Sequence, residues 1–334
     1  MTPVFIIAEA GVNHNGSLDL ALQMVDVAVR AGADAVKFQT FKSTKEISKH
    51  AEKAEYQKTA TGTAESFLDM AIKLELDGPA HRRLLAHCQA RGIMFLSSPF
   101  ETDSIDFLNA LGLDIMKVSS GQVTNLPFLR HIGALKKQII LSTGMATLEE
   151  VKTAVEVLVA SGTARDAISV LHCTTAYPTP FEDVNLRAML TMRDAFGLPV
   201  GYSDHTLGIE VPIAAVAMGA RIIEKHFTLD RRMEGPDHSA SLEPDELAAM
   251  VTAIRHIEVA MGDGVKRPAR SEGANTPLAR RSIVAARFIK KGEVFSADAI
   301  TVKSPAIGLS PMRWDDVIGT VAKHDFEEDQ VIEL

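Results

Sequence analysis

The chain has 334 residues, of which 46% are hydrophobic and 23% charged, with a formal net charge of −8. This is the balance of a globular protein with a large core, and the negative charge argues against general attraction to nucleic acid or an anionic membrane. Two cysteines, Cys88 and Cys173, are too few for a disulfide framework and are expected as reduced thiols in a cytoplasmic protein.

The first residues lack a basic segment and reach a carboxylate at Glu9, so no signal peptide is expected. No stretch approaches the roughly 18 uncharged apolar residues of a membrane span. Short apolar, β-branched runs then predict strands over residues 4–9, 35–39, 93–98, 115–119, 138–143, 168–174, 200–205 and 222–227. Amphipathic stretches predict helices over 17–31, 79–91, 101–111, 126–134, 147–161, 185–196, 209–218 and 244–261. Near-continuous apolar strands alternating with helices argue for a parallel sheet, and eight such units argue for an α/β TIM (β/α)8 barrel. Residues 42–62, rich in Lys, Glu, Ser and Thr, are expected as one long loop, either a lid over a site or a solvated excursion.

The expected organisation is a barrel over 1–261, a Gly- and Pro-rich linker over 262–277, and a small unit over 278–334. A unit that small lies near the lower limit for independent stability.

The strongest functional signal is where polar residues fall. Every predicted strand ends in them: Glu9; Lys37 and Gln39; Ser97 and Ser98; Lys117, Ser119 and Ser120; Ser142 and Thr143; His172 and Thr174; Ser203, Asp204 and His205; Glu224, Lys225 and His226. Barrel enzymes build their sites at the C-terminal ends of strands, so this distribution predicts a ring of functional groups around one mouth. Strand alternation puts Lys37 with Gln39, Ser203 with His205 and Glu224 with His226. If the barrel closes in chain order, His205 and His226 sit on neighbouring strands and suit a divalent ion such as Mn2+. The plainer alternative is two satisfied core histidines. Glu224 either holds a metal-bound water or pairs with a barrel lysine. Lys37 and Lys117 are costly to bury alone; a phosphate or carboxylate ligand, with Ser98, Ser120 and Ser203 as donors, would compensate them, as would Lys–Glu pairs inside the barrel. Two loops, Asn13-His14-Asn15-Gly16 and Gly235-Pro236-Asp237-His238, follow the first and last strands; Asp237 is a candidate for gripping sugar hydroxyls, while His14 and His238 read equally well as turn residues.

At these residues the chain resembles the N-acetylneuraminate (sialic acid) synthase family, closest in pattern to its legionaminic acid synthase branch. The resemblance rests on IIAEAGVNHNGSL at residue 6, VKFQT at 36, SSPF at 97, LSTGMA at 141, LHCTTAYPTP at 171, GYSDHT at 201 and EKHFTLDRRMEGPDHSASLEP at 224. The tail from Arg280 to Pro305 resembles the antifreeze-like SAF module, a small β-clip domain. The resemblance implies a transferase that joins phosphoenolpyruvate to an N-acetylated amino sugar. It further implies a divalent metal, Mn2+ with Mg2+ or Co2+ as substitutes, and a domain-swapped homodimer. Residue by residue, His205 and His226 match metal ligands; Lys37, Ser98, Lys117, Ser120 and Ser203 match the phosphoenolpyruvate site, where Thr175 also falls; Glu9, Gln39, Tyr177 and Asp237 match positions around the sugar, where Gln122 also falls; and Glu224 matches a carboxylate near the metal, with Glu9 and Glu224 the candidate catalytic groups. Three residues depart from the neuraminate pattern: Thr175 stands for asparagine, Gln122 for an acidic residue, and Ser304 for an arginine, with Arg313 or Arg280 as substitutes for the last. The rival activities are a 3-deoxy-acid synthase using a sugar phosphate and a catalytically altered polysaccharide-biosynthesis homologue. Ice or carbohydrate binding without catalysis is disfavoured by the charged tail.

Overall fold

The computed structural model describes residues 3–334. The chain divides into two compact units, Met1–Gly262 and Asp263–Leu334.

In the first unit, eight strands form one parallel sheet: β1 (Phe5–Gly11), β2 (Ala35–Thr40), β3 (Met94–Pro99), β4 (Ile115–Val118), β5 (Gln138–Ser142), β6 (Ile168–Cys173), β7 (Val200–Asp204) and β8 (Ile222–His226). They pair in the order β3-β2-β1-β8-β7-β6-β5-β4. Strands β3 and β4 come side by side across the remaining gap, so the sheet is a nearly closed (β/α)8 barrel.

The sequence explains both faces. Residues such as Ile6, Val36, Phe38, Val170 and Tyr202 point outward into a core shared with the surrounding helices. The intervening residues Ile7, Ala35, Leu96, Ile140, Leu171 and Ile222 meet inside as an apolar plug. Two residues further along each of those strands stand Glu9, Lys37, Ser98, Ser142, Cys173 and Glu224. Because side chains repeat every second residue, this second interior layer is polar and lies above the plug, toward the C-terminal mouth. At Gly201 in β7 an added Cβ would stand 2.3 Å from the Ile222 carbonyl and 2.6 Å from Leu171 Cδ2. No larger residue fits there.

The helices carry local stop and start signals. Leu18–Ala31 begins at Ser17, whose hydroxyl accepts the Leu20 N–H, and ends at Gly32 with φ 80°. Leu148–Ser161 opens with a reciprocal Thr147–Glu150 capping box.

The insertion differs from expectation. The segment after β2 forms short helices, Ser43–Glu46, Glu55–Thr61 and Phe67–Lys73. The first two are short and polar and the third is only seven residues long, which hides any helical period. Ser66 caps the third by accepting the Asp69 N–H, and the buried Lys53 ammonium donates to Thr61 and the Gly62 carbonyl and pairs with Glu65 at 3.6 Å.

In the second unit, β9 (Ser282–Ala285) pairs antiparallel with β10 (Ile300–Lys303), and single bridges join Val284 to Val331 and Ile289 to Phe326. Ile283, Ile289, Phe295, Ile300, Phe326 and Ile332 form its core. The segment expected as a linker carries a turn of 3-10 helix at Arg270–Glu272 and a short helix at Thr276–Ala279. Ser304 is exposed, and Arg313 pairs with Asp316 at 2.9 Å. Among the described residues no helix is long and apolar enough to cross a membrane.

Candidate active site

A cavity of about 550 Å3 opens at the C-terminal ends of the strands. All fourteen residues assigned from the sequence line it: Glu9, Lys37, Gln39, Ser98, Lys117, Ser120, Gln122, Thr175, Tyr177, Ser203, His205, Glu224, His226 and Asp237.

At its floor, buried charges form one network. Lys37 Nζ lies 2.8 Å from Glu9 and 3.7 Å from Glu224, and donates to Ser98 Oγ at 3.0 Å. Lys117 Nζ lies 3.5 Å from the other Glu224 oxygen and donates to Ser142 Oγ at 2.7 Å. Ser203 donates to Glu224 at 3.0 Å. The Lys–Glu pairing foreseen as an alternative to anion binding is therefore present. It leaves both lysines lining the cavity. Ser142, mentioned only as a strand end in the sequence, is the hydroxyl that holds Lys117.

The two carboxylates experience opposite environments. Burial pushes the Glu9 carboxyl up to about 7, with Lys37 opposing and Glu224 reinforcing the shift. Burial acts on Glu224 as well, but Lys117, Lys37 and the Ser203 hydroxyl outweigh it and hold its carboxyl below the usual range. Lys117 is itself pulled down by burial and by the nearby Lys37, against Glu224.

Above this layer the rings of His205 and His226 lie 5.4 Å apart between centroids. His205 Nδ1 is 2.6 Å from the Thr174 carbonyl, so Nδ1 carries the proton and Nε2 keeps its lone pair. His226 Nδ1 is buried without a hydrogen-bond partner. Burial lowers both imidazoles, and for His226 the neighbouring His205 adds to the effect. Neutral rings with unengaged nitrogens are the donor chemistry a divalent cation takes. No group of three or more His, Cys, Asp or Glu side chains is arranged for a metal among the described residues. The two imidazoles thus fit an ion whose remaining positions belong to water or substrate oxygens.

The outer part of the cavity is aromatic and apolar. Tyr177 packs on His205 at 4.2 Å and stacks with Tyr56 at 5.1 Å. Tyr56 and Ile47 belong to the insertion, and Phe67 and Met70 of the helix that follows it also line the cavity. Sequence reading marked the insertion as a possible lid but named none of these residues, because contact with the mouth is set by three-dimensional placement. Burial raises Asp237 to about 6.

Two assigned residues are partly occupied by the fold. Gln122 donates to the Phe100 carbonyl at 3.0 Å and accepts from Asn125 at 2.7 Å. Ser120 Oγ accepts the Gly144 N–H at 2.9 Å and lies 3.1 Å from Cys173 Sγ. His14 accepts the Gly16 N–H, and His238 bonds Thr228 and Asn15, so both serve their turns.

A lysine–carboxylate cluster beneath two neutral imidazoles, at the C-terminal mouth of a (β/α)8 barrel, defines a barrel enzyme built for an anionic substrate and a polar co-substrate. The chain belongs to the NeuB family, whose model matches residues 24–266, and a SAF domain matches residues 280–334. It is 53% identical over 332 residues, 99% of both chains, to N,N'-diacetyllegionaminic acid synthase of Campylobacter jejuni. It is 45% identical to the enzyme of the same name from Legionella pneumophila, over 95% of this chain and 89% of the other. Among solved structures it is similar to N-acetylneuraminic acid synthetase of Leptospira borgpetersenii in complex with citrate, with TM-score 0.73 and 36% identity over 82% of this chain and 90% of that one.

Proposed function

We propose that the chain is a nonulosonic acid synthase that condenses phosphoenolpyruvate with an N-acetylated mannosamine-type sugar and water, releasing phosphate. The observation that carries this reading is the arrangement of Lys37 and Lys117 around Glu224, directly below His205 and His226. The two ammonium groups, with Ser98, Ser120, Thr175 and Ser203, hold the phosphate and carboxylate of phosphoenolpyruvate. Gln39, Tyr177 and Asp237 hold the sugar, and Tyr56, Phe67 and Met70 offer an apolar wall to its acetyl methyl groups. The legionaminic acid synthases it resembles support a 2,4-diacetamido-6-deoxy hexose as acceptor.

His205 and His226 would hold a divalent metal, most suitably Mn2+, which supplies Lewis-acid polarisation of the aldehyde when bound. Carbon-3 of phosphoenolpyruvate attacks that aldehyde carbon, water adds at carbon-2, and phosphate leaves by C–O cleavage. Glu9, whose carboxyl burial raises to about 7, is the candidate to donate a proton to the aldehyde oxygen as it becomes the new hydroxyl, and the ionised Glu224 to orient the water. The enzyme acts in the cytoplasm as a homodimer.

The test is phosphate release from phosphoenolpyruvate with a panel of N-acetyl hexosamines, Mn2+ present or removed by a chelator. Turnover with a phosphate-free amino sugar, lost on chelation and restored by Mn2+, is expected. Turnover only with sugar phosphates, or undiminished by chelation, would overturn it.

A further inference from the structure

Between the active-site residues of β7 and β8 lie two that face the other way. Asp204 separates Ser203 from His205, and Lys225 separates Glu224 from His226. On the outer side of the barrel their side chains meet: Lys225 Nζ lies 2.5 Å from Asp204 Oδ2, and both side chains are wholly buried. Thr206 completes the group. Its backbone N–H donates to Asp204 Oδ1 at 3.1 Å, its hydroxyl donates to Oδ2 at 2.9 Å, and its carbonyl accepts from Lys225. The result is a closed polar knot in an otherwise apolar layer where Tyr202, Ile223 and Phe227 pack.

Its position is informative. Backbone pairing between β7 and β8 runs through Tyr202–Ile223 and Ser203–Glu224 and ends at Asp204–Lys225. His226 is still paired with Glu9 of β1, but His205 stands one residue beyond the end of β7, so no β7–β8 backbone pairing sets the height of His205 against His226. A buried ion pair between facing residues resists both sliding and splaying of the strand ends, because any displacement strips two charges of their partners in a dry environment. The knot also grips Thr206 on the far side of His205, so that histidine is held from both neighbours.

We infer that Asp204, Lys225 and Thr206 are positioning residues that set the spacing of the two histidines from behind the barrel wall, and so tune the affinity of the site for its divalent cation. The inference rests on the metal reading above. It adds that the reverse face of the strands, remote from substrate, governs how well the ion is held. Partners outside the ligand set typically change metal affinity by about 10- to 100-fold.

The experiment is titration of the metal-stripped full-length chain with Mn2+ alone, following the free-ion electron paramagnetic resonance signal, in wild type, Asp204→Asn, and the double variant Asp204→Asn with Lys225→Met. The double variant leaves no unpaired buried charge, so it keeps the test open if the single one unfolds; thermal unfolding confirms the folded state. Both variants are expected to bind Mn2+ at least about 10-fold more weakly. At saturating Mn2+, their KM for phosphoenolpyruvate is expected to change by less than the Mn2+ affinity, since Lys37 and Lys117 sit on other strands and only Ser203 adjoins the altered pair. A knot that served folding alone would change the unfolding temperature and leave the Mn2+ affinity of folded protein untouched. A folded double variant with wild-type Mn2+ affinity overturns the inference while leaving the metal reading intact. Absence of Mn2+ binding by wild type overturns both.

Discussion

The lysine–carboxylate cluster makes an asymmetric prediction. Consider Lys117→Met, which keeps the aliphatic stem and deletes the ammonium. With Lys117 removed, Glu224 still has Lys37 at 3.7 Å and the Ser203 hydroxyl at 3.0 Å, and Glu9 keeps Lys37 at 2.8 Å. No charge is stranded, so unfolding free energy without ligand should change by less than about 1.5 kcal/mol, as for a volume-conserving replacement. Phosphoenolpyruvate, however, loses a charge-assisted donor worth about 1.5–3 kcal/mol, which is about 10- to 150-fold in affinity. The reverse change, Glu224→Gln, strands Lys117, whose neighbouring carboxylate is gone. Removing one partner of a buried pair costs about 3–5 kcal/mol, while Lys37 keeps its 2.8 Å contact with Glu9. Calorimetric titration with phosphoenolpyruvate and urea unfolding measure the two quantities. Phosphoenolpyruvate binding unchanged in Lys117→Met, or Glu224→Gln as stable as wild type, would refute the reasoning that these lysines are the anion site and Glu224 their resident counter-charge.

Asp237 makes a pH prediction. Burial raises its carboxyl to about 6, so it accepts sugar hydroxyls as a carboxylate only above that pH; KM for the amino sugar should rise as pH falls below about 6, and Asp237→Asn should flatten that limb. Its stability contribution has the same origin: between the ordinary aspartate value of 3.8 and about 6 the folded state holds the proton more tightly, so stability falls as pH rises through this window, and the Asn variant should lose that slope in urea titrations. Tyr56→Ala removes the stack on Tyr177, worth about 0.5–1.5 kcal/mol, and steady-state kinetics should show a sugar KM raised by up to about 10-fold with little effect on phosphoenolpyruvate. Gly201→Ala drives a methyl into the Ile222 carbonyl and Leu171 inside the barrel; thermal unfolding should show a loss of about 1–3 kcal/mol.

Much of this molecule is written locally. The eight strands, the helices between them and the polar strand ends follow from short-range rules: apolar runs of strand length, 3.6-residue periodicity, Ser17 and Thr147 as caps, Gly32 as a stop. Alternation along single strands was enough to pair Ser203 with His205 and Glu224 with His226, because side-chain direction has a period of two whatever the partner strand. The helices at Ser43–Glu46, Glu55–Thr61 and Phe67–Lys73 were not legible, since segments of four to seven residues are too short to show a helical period and take their conformation from what they pack against.

Three decisions belonged to the tertiary structure alone. Closure of the sheet put β8 beside β1 and brought Glu9, Lys37 and Glu224 within salt-bridge range, although they are far apart in the chain. Burial pushes both chemically identical carboxyls up, and the lysines and hydroxyl that each one faces then split them, Glu9 raised and Glu224 lowered. Last, folding turned Asp204 and Lys225 away from the mouth and against each other. Alternation set them apart from His205 and His226 but did not show that they face each other. Composition and pattern settle which residues alternate along a strand; only the packed barrel settles which of the two faces meets solvent and substrate and which meets the helices, because that depends on the direction in which the sheet curls.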